Sequence, residues 1–548
     1  MTSPLAPNGT PWPPRAAGPA SYVPLYGPDF ERDPLRYYQG LREKYGPVVP
    51  VEVDERGGFR GWLVLGHREQ LSVLHNESGL WTHDSRWWRD LAERRVPSHP
   101  ILPQLEPGRH ALTSDGAEHA RLRGAVSQTL AQLRPPATRA YIDHLADQLI
   151  DALPSFGPVD IFSGYAAPLP LLVMMGLLGM SEPHAALVSH AIHQINQAGP
   201  ESEAASRQVD KVMREMIAEK RRAPAADLTS WLIACTRMAH PDEDELADQT
   251  RLLLFSGLGA SSAWIVSTVL KLLTDEEAMR ETAAGRRSVA EVASQALGEQ
   301  PPVQNTFYHW AQGPMQLGGR EIGTGDMAIV SLAAVDPSGE GFGGPFAGPG
   351  ADRPPAPGGP FEAAPPREGA GPEAPAAPGA AGELRVQRAR MAWGAGPHAC
   401  PARGLGLAIV DSAVSRLLHR LPGMHLAVEE NELAWLPPHV VRVPAELPVL
   451  ARSRRPAADP GEPAPFVDLP PSDHPPAPAV APFAPGAAPV GPAEAHAPAP
   501  VGEFGPGAGE FAAPGPQGEP GAEGEAQDNG QRRGWRALPT WFFFRRGG

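Results

Sequence analysis

Trp393-Gly-Ala-Gly-Pro-His398-Ala-Cys400-Pro-Ala-Arg-Gly-Leu405 decides how the rest of the chain is read. Two glycines and a proline make a tight loop, poor in side chains, that delivers one cysteine to the start of an apolar helix. From Pro401 onward the spacing predicts a helix, with Val410, Val414, Leu417, Leu418 and Leu421 on one face. Proline suits a first helical turn, where its missing N–H would be unpaired anyway. At such a position, free N–H groups and the helix dipole favour a thiolate over a thiol. A thiolate on a constricted loop needs a metal or an electrophile to be useful. Axial ligation of haem iron is the chemistry that fits, because a thiolate pushes electron density towards O–O cleavage. His398 would stand beside the sulfur as a donor for a haem carboxylate.

The loop resembles the cysteine-ligand signature of the cytochrome P450 family, Phe-Gly-x-Gly-x-His/Arg-x-Cys-x-Gly. Gly394, Gly396, His398 and Cys400 match it, while Trp393 replaces the Phe and Ala402 the final Gly. The competing reading is a Gly-rich turn around a buried structural cysteine. Four matches at the right spacing, followed by a helix, weigh against that. The resemblance implies a mainly α fold with small β-sheets, a triangular helical prism enclosing haem b (iron protoporphyrin IX), with Cys400 as the iron ligand.

With 59 glycines and 67 prolines among 548 residues, the chain must carry long low-complexity stretches beside any core. Its two cysteines, Cys235 and Cys400, lie far apart, which argues against a disulfide framework and fits a reducing, cytoplasmic setting. A net charge of −15 argues against nucleic acid as a partner.

Composition divides the chain into a disordered Pro-rich start (1–21), a haem domain (22–453) interrupted by a Pro/Ala/Gly insertion (346–384), a disordered tail (454–530) and a last segment (531–548). Within the tail, residues 456–530 hold no Lys or Arg and 11 acids. Such sequence buries too little apolar surface to offset its chain entropy. The last segment sets five arginines around Trp535, Trp541, Phe542, Phe543 and Phe544. That suits an anionic membrane surface, peripheral to which the protein would then lie, or a partner groove. It is equally the composition of a sticky terminus without a partner.

Inside the domain, Asp33 to Gly46 reads as an amphipathic helix closed by glycine, followed by a hairpin of Val48–Val53 and Gly61–Leu65. Helices are expected at Pro168–Met180 and Ser202–Arg222, and strands at Met315–Leu317 and Met327–Ser331, the second running on to Ala334. Asp115 and Glu118 form a capping box ahead of His119 and Arg123, which lie four apart on one helical face. That face could be merely solvated. The resemblance assigns both residues to a haem propionate, and His309 to the place of a further propionate-binding Arg. Trp87 and Trp88 fall where the family roofs its substrate pocket, although two tryptophans serve as often for packing. Cys235 reads as a core residue.

Leu246 to Leu273 reads as one long central helix crossing the distal face of the haem. There the family carries an acid and alcohol pair that organises water for proton delivery. Gly259 and Ala260 occupy those two positions here, so no titratable group is available. Gly257, Ser261 and Ser262 remain as the distal candidates. The family's Glu-x-x-Arg pair is also missing, since its positions are Gln295 and Gly298. That loss, with Asp84-Ser-Arg-Trp-Trp88, resembles an actinobacterial branch encoded beside a small GTPase, which implies a GTPase signalling complex as a partner.

Three functions follow. The first is a monooxygenase inserting one oxygen atom into a small apolar molecule with electrons from a ferredoxin-type donor. The second is a haem-binding sensor or complex subunit with little oxygenase activity. The third, a relative that no longer holds haem, is opposed by the intact cysteine loop.

Overall fold

Asp33 starts the first long helix, Pro34–Tyr45, its side chain accepting the Arg36 N–H at 3.1 Å. Gly46 ends it at φ 90°, a left-handed turn that costs glycine nothing. The computed structural model describes residues 5–470 except 16–18, 20, 98, 100, 197–200, 335–387, 452–453 and 458–464. The insertion 346–384 and the segment 531–548 therefore lie outside the described residues.

Three sheets are formed. The strands are β1 (Val23–Pro24), β2 (Val48–Glu52), β3 (Arg60–Val64), β4 (Trp81–Thr82), β5 (Val159–Asp160), β6 (Asn305–Ala311), β7 (Met315–Leu317), β8 (Arg320–Ile322), β9 (Met327–Ser331), β10 (His425–Leu426) and β11 (Pro448–Leu450). The largest sheet runs in the order β1-β2-β3-β9-β6-β4. The expected hairpin is its β2–β3 pair, in register from Val48 opposite Val64 to Glu52 opposite Arg60. β9 stops at Ser331 instead of continuing to Ala334. The fully buried Gln70 side chain donates to the carbonyls of both Ser331 and Ala334 and turns the chain there.

Helices make up the rest. Pro168–Leu177 is buried on nearly every side, and Ser202–Arg222 forms over the expected range. The central packing unit joins Pro135–Ala152, Leu258–Thr274, Val289–Glu299 and Arg403–Arg420. The last of these starts two residues later than Pro401, yet buries Val410, Val414, Leu417 and Leu421 as its spacing predicts.

Two stretches expected to be disordered hold packed residues. Within 1–21, Trp12 packs edge-on against Trp87 at 6.1 Å, and Arg15 pairs with Asp90 at 2.6 Å and Glu93 at 2.7 Å. Within 454–530, Val467 is fully buried and Phe466 lies 5.2 Å from the Tyr141 ring. In each case an isolated aromatic or apolar anchor overrides the surrounding proline content.

At the site of the missing Glu-x-x-Arg pair, a neutral amide bridges two charged side chains. Gln295 accepts from Arg287 and donates to Glu299 at 2.7 Å, while Gly298 is buried. A different ionic cluster braces the helix behind the cysteine loop. Arg420, with no exposed side-chain surface, donates to Asp147 at 2.8 Å and pairs with Asp151. Arg416 reaches the same Asp147 at 3.0 Å. The helix Arg403–Arg420 is thereby tied to Pro135–Ala152.

Candidate haem-binding site

The cysteine loop holds its shape through its backbone. Cys400 N–H donates to the Trp393 carbonyl at 2.8 Å, closing the loop on itself. Gly396 sits at φ +67°, and a Cβ there would lie 2.2 Å from the Leu74 carbonyl oxygen, so only glycine fits. Trp393 meets Trp264 edge-on at 5.4 Å, a contact worth about 1 kcal/mol beyond its buried area. The Trp264 N–H is anchored on the Ala293 carbonyl at 2.8 Å. This aromatic pair clamps the loop to the central helix.

Cys400 is accessible to solvent-sized space, yet loss of hydration is the dominant influence on its thiol and pushes the pKa up. The Ala402 backbone N–H, Arg123 and Arg403 act in the opposite direction, each favouring an anionic sulfur.

The central helix that Trp264 ties to the loop is two helices, Glu243–Phe255 and Leu258–Thr274. Gly257 separates them at φ 85°, with open space where a Cβ would stand. Ser256 and Gly257 are exposed, although most of the surrounding run is buried. Gly257 lies seven residues before Trp264, about 10 Å along the helix axis. Ser261 sits on the first turn after the break, its N–H on the Gly257 carbonyl at 2.8 Å. Ser262 does not belong to a distal site. Its hydroxyl is fully buried and donates to the Leu258 carbonyl at 2.8 Å.

Four imidazoles and a guanidinium gather beside the cysteine loop. His398 lies flat on His83 with centroids 3.6 Å apart and planes 8° apart, and meets His119 at 3.9 Å. His309, on β6, stands edge-on to His83 at 4.7 Å. Arg123 donates to the Ala399 carbonyl, next to Cys400. The structure thus brings together all five residues expected around the cofactor, His119, Arg123, His309, His398 and Cys400, from three separate elements. His83 was not anticipated. It sits in Trp-Thr-His-Asp with no periodic or motif signal, and only the pairing of β4 with β6 carries it here.

Asp115 explains part of the arrangement. It makes no side-chain cap on the helix Gly116–Leu130, contrary to the capping-box expectation. Its carboxylate is taken instead by Thr82 Oγ1 at 2.5 Å and the His83 N–H at 3.0 Å. The tie to β4 replaces the local cap.

Burial and crowding disfavour a positive charge on the imidazoles of the cluster. Burial first, then neighbouring imidazoles and Arg123, pushes His398 down to about 2. Burial pushes His309 down to about 3, with His398 adding to it, and holds His83 well below its ordinary value. Burial also lowers the Arg123 pKa. Among the described residues no carboxylate pairs with Arg123, and the buried nitrogens His119 Nε2 and His309 Nδ1 have no hydrogen-bond partner. Buried donors without acceptors carry a cost that a bound anion removes. A flat cofactor bearing two carboxylates, with iron ligated by Cys400, fits these residues.

No model of a known protein family matches the chain. Over 426 residues it is 27% identical to Cytochrome P450 107B1 of Saccharopolyspora erythraea, covering 77% of this chain and 95% of that protein. Over 453 residues it is 26% identical to the cytochrome P450 monooxygenase PikC of Streptomyces venezuelae, covering 81% of this chain and 97% of that one. Among solved structures, CYP154C4 from Streptomyces sp. W2061 matches with a TM-score of 0.63 at 25% identity, over 78% of this chain and 97% of the other. The chain is thus similar over most of its length to bacterial cytochrome P450s, and the cysteine loop and helical fold described above are those of a cytochrome P450. It is an oxidoreductase whose prosthetic group is haem b.

Proposed function

We propose that this chain is a haem-thiolate monooxygenase, inserting one atom of dioxygen into a small apolar organic molecule with electrons from a ferredoxin-type donor. The observation that carries this reading is the enclosed but accessible Cys400 beside an imidazole and guanidinium cluster in which His119 Nε2 and His309 Nδ1 lack partners. Relatives support the class of chemistry, among them a 6-deoxyerythronolide B hydroxylase of Saccharopolyspora erythraea, 26% identical over 443 residues.

Bound here, the haem would supply the reductive activation of dioxygen. The chain's own residues do the rest. Cys400 offers its sulfur to the iron, supported by the Ala402 amide, Arg123 and Arg403. Arg123, His119, His309 and His398 would take the cofactor's carboxylates, giving partners to His119 Nε2 and His309 Nδ1, which otherwise have none. Trp264 anchors the distal helix to the cysteine loop through Trp393. The side chains at the acid and alcohol positions, Gly259 and Ala260, can neither hold nor pass a proton. Protons must come from water ordered at the exposed Ser256 and Gly257, or at Ser261.

That deficit favours a second reading, in which the chain binds haem but oxidises poorly and serves as a sensor or complex subunit. The variant Gly259→Asp/Ala260→Thr separates the two. If proton delivery limits turnover, product formed per electron pair rises severalfold, while oxidation driven by added hydrogen peroxide stays the same. Unchanged coupling with full haem content would count against a proton-delivery limit.

The proposal does not extend to a GTPase complex or a membrane surface. No relative named here carries such a link, and 531–548 lies outside the described residues.

A further inference from the structure

His83 is held more firmly than a packing residue requires. It follows β4, where Trp81 pairs with Ala311 and Thr82 with Trp310. Its backbone N–H donates to Asp115 at 3.0 Å, and Thr82 Oγ1 donates to the same carboxylate at 2.5 Å. Its ring Nδ1 lies 2.9 Å from the Leu112 carbonyl oxygen. A carbonyl only accepts, so Nδ1 carries the proton and the tautomer is fixed. Backbone and ring are thus pinned separately, to Asp115 and to Leu112.

This pinned ring touches two of the cofactor-facing imidazoles. It lies flat on His398 at 3.6 Å and meets His309 at 4.7 Å with planes at 70°. His398 comes from the cysteine loop and His309 from β6, elements far apart in sequence. His119 lies 3.9 Å from His398, with planes 36° apart. Two rings cannot share one face of a third at such distances, so His83 and His119 cover opposite faces of His398. An imidazole covered on both faces cannot turn about its ring bond without losing contact on each side. The plane of the ring is therefore set by its neighbours, with Nε2 3.9 Å from Asp115 Oδ1.

We propose that His83 is a positioning residue for the cofactor: its ring fixes the plane of His398 and the spacing between His398 and His309, so that both donate to the haem carboxylates. This rests on the reading above that the imidazole cluster receives those carboxylates. Towards His398 the contact is made by the flat face of the ring, while Nδ1 is turned to the Leu112 carbonyl. Groups behind a ligand shell commonly change cofactor affinity by about 10–100-fold.

Two variants of the full chain test it. His83→Phe keeps a flat ring without nitrogens, and His83→Leu keeps volume without a flat ring. The measurements are the rate of haem transfer to excess apomyoglobin and the ferric/ferrous midpoint potential, with far-ultraviolet circular dichroism as the folding control. His83→Leu is expected to release haem about tenfold faster or more and to shift the potential. His83→Phe is expected to stay close to the parent in both. The proposal is overturned if His83→Leu retains haem and potential like the parent, or if His83→Phe fails as badly as His83→Leu. His398→Ala, measured alongside, separates this from the underlying reading. If His398→Ala also leaves haem release unchanged, the cluster does not receive the carboxylates at all.

Discussion

Cys400→Ser is expected to abolish oxygenase turnover, by at least about a thousandfold, equivalent to about 4 kcal/mol of barrier. A serine hydroxyl at this position is a far weaker anion than a thiolate and gives the iron much less electron density. The surroundings of Cys400 are arranged for sulfur: the Ala402 amide, Arg123 and Arg403 all favour its negative charge against the cost of burial. The matching control is Cys235→Ser. Cys235 is half-buried on the helix Leu228–Thr236, apart from the loop, and its replacement should leave turnover within a factor of two. Loss of activity in both variants would point to general destabilisation instead of ligand loss.

Asp147→Asn is expected to cost about 3–5 kcal/mol of stability, the usual result of removing one partner from a buried ionic group. Arg420 has no exposed side-chain surface and would be left with Asp151, whose side chain is 57% exposed. Arg416 would lose its partner as well. Denaturant unfolding of the variant, followed by both circular dichroism and the haem band, gives the loss directly. The replacement Asp147→Leu/Arg416→Met/Arg420→Met should recover much of it, because removing a whole buried ionic cluster is far milder than orphaning one member. Since these arginines sit on the helix that follows Cys400, haem loss should track unfolding in Asp147→Asn. An Asp147→Asn protein as stable as the parent would show that this cluster does not brace the helix.

The cysteine loop could be read from sequence because its chemistry is local. Two glycines, a histidine and a cysteine within seven residues specify a backbone path, and Gly396 against the Leu74 carbonyl shows why no other residue serves. His119 and Arg123 were legible for the same reason, being one helical turn apart. The break in the central helix was not legible: Leu246 to Leu273 reads as one helix, whereas the left-handed turn at Gly257 depends on how the two halves pack. Asp115 was misread because a local cap competes with partners from another segment, and Thr82 and His83 win. His83 and the Asp147–Arg420 contact had no local signature whatever. Both arise where segments distant in sequence meet, 273 residues apart in the second case.

The most direct test of the central claim is the absorption spectrum of the purified, reduced protein under carbon monoxide. A haem iron held by the Cys400 thiolate predicts a strongly red-shifted Soret band, lost in Cys400→Ser. Haem bound without that shift, or a parent protein that takes up no haem, would contradict the account.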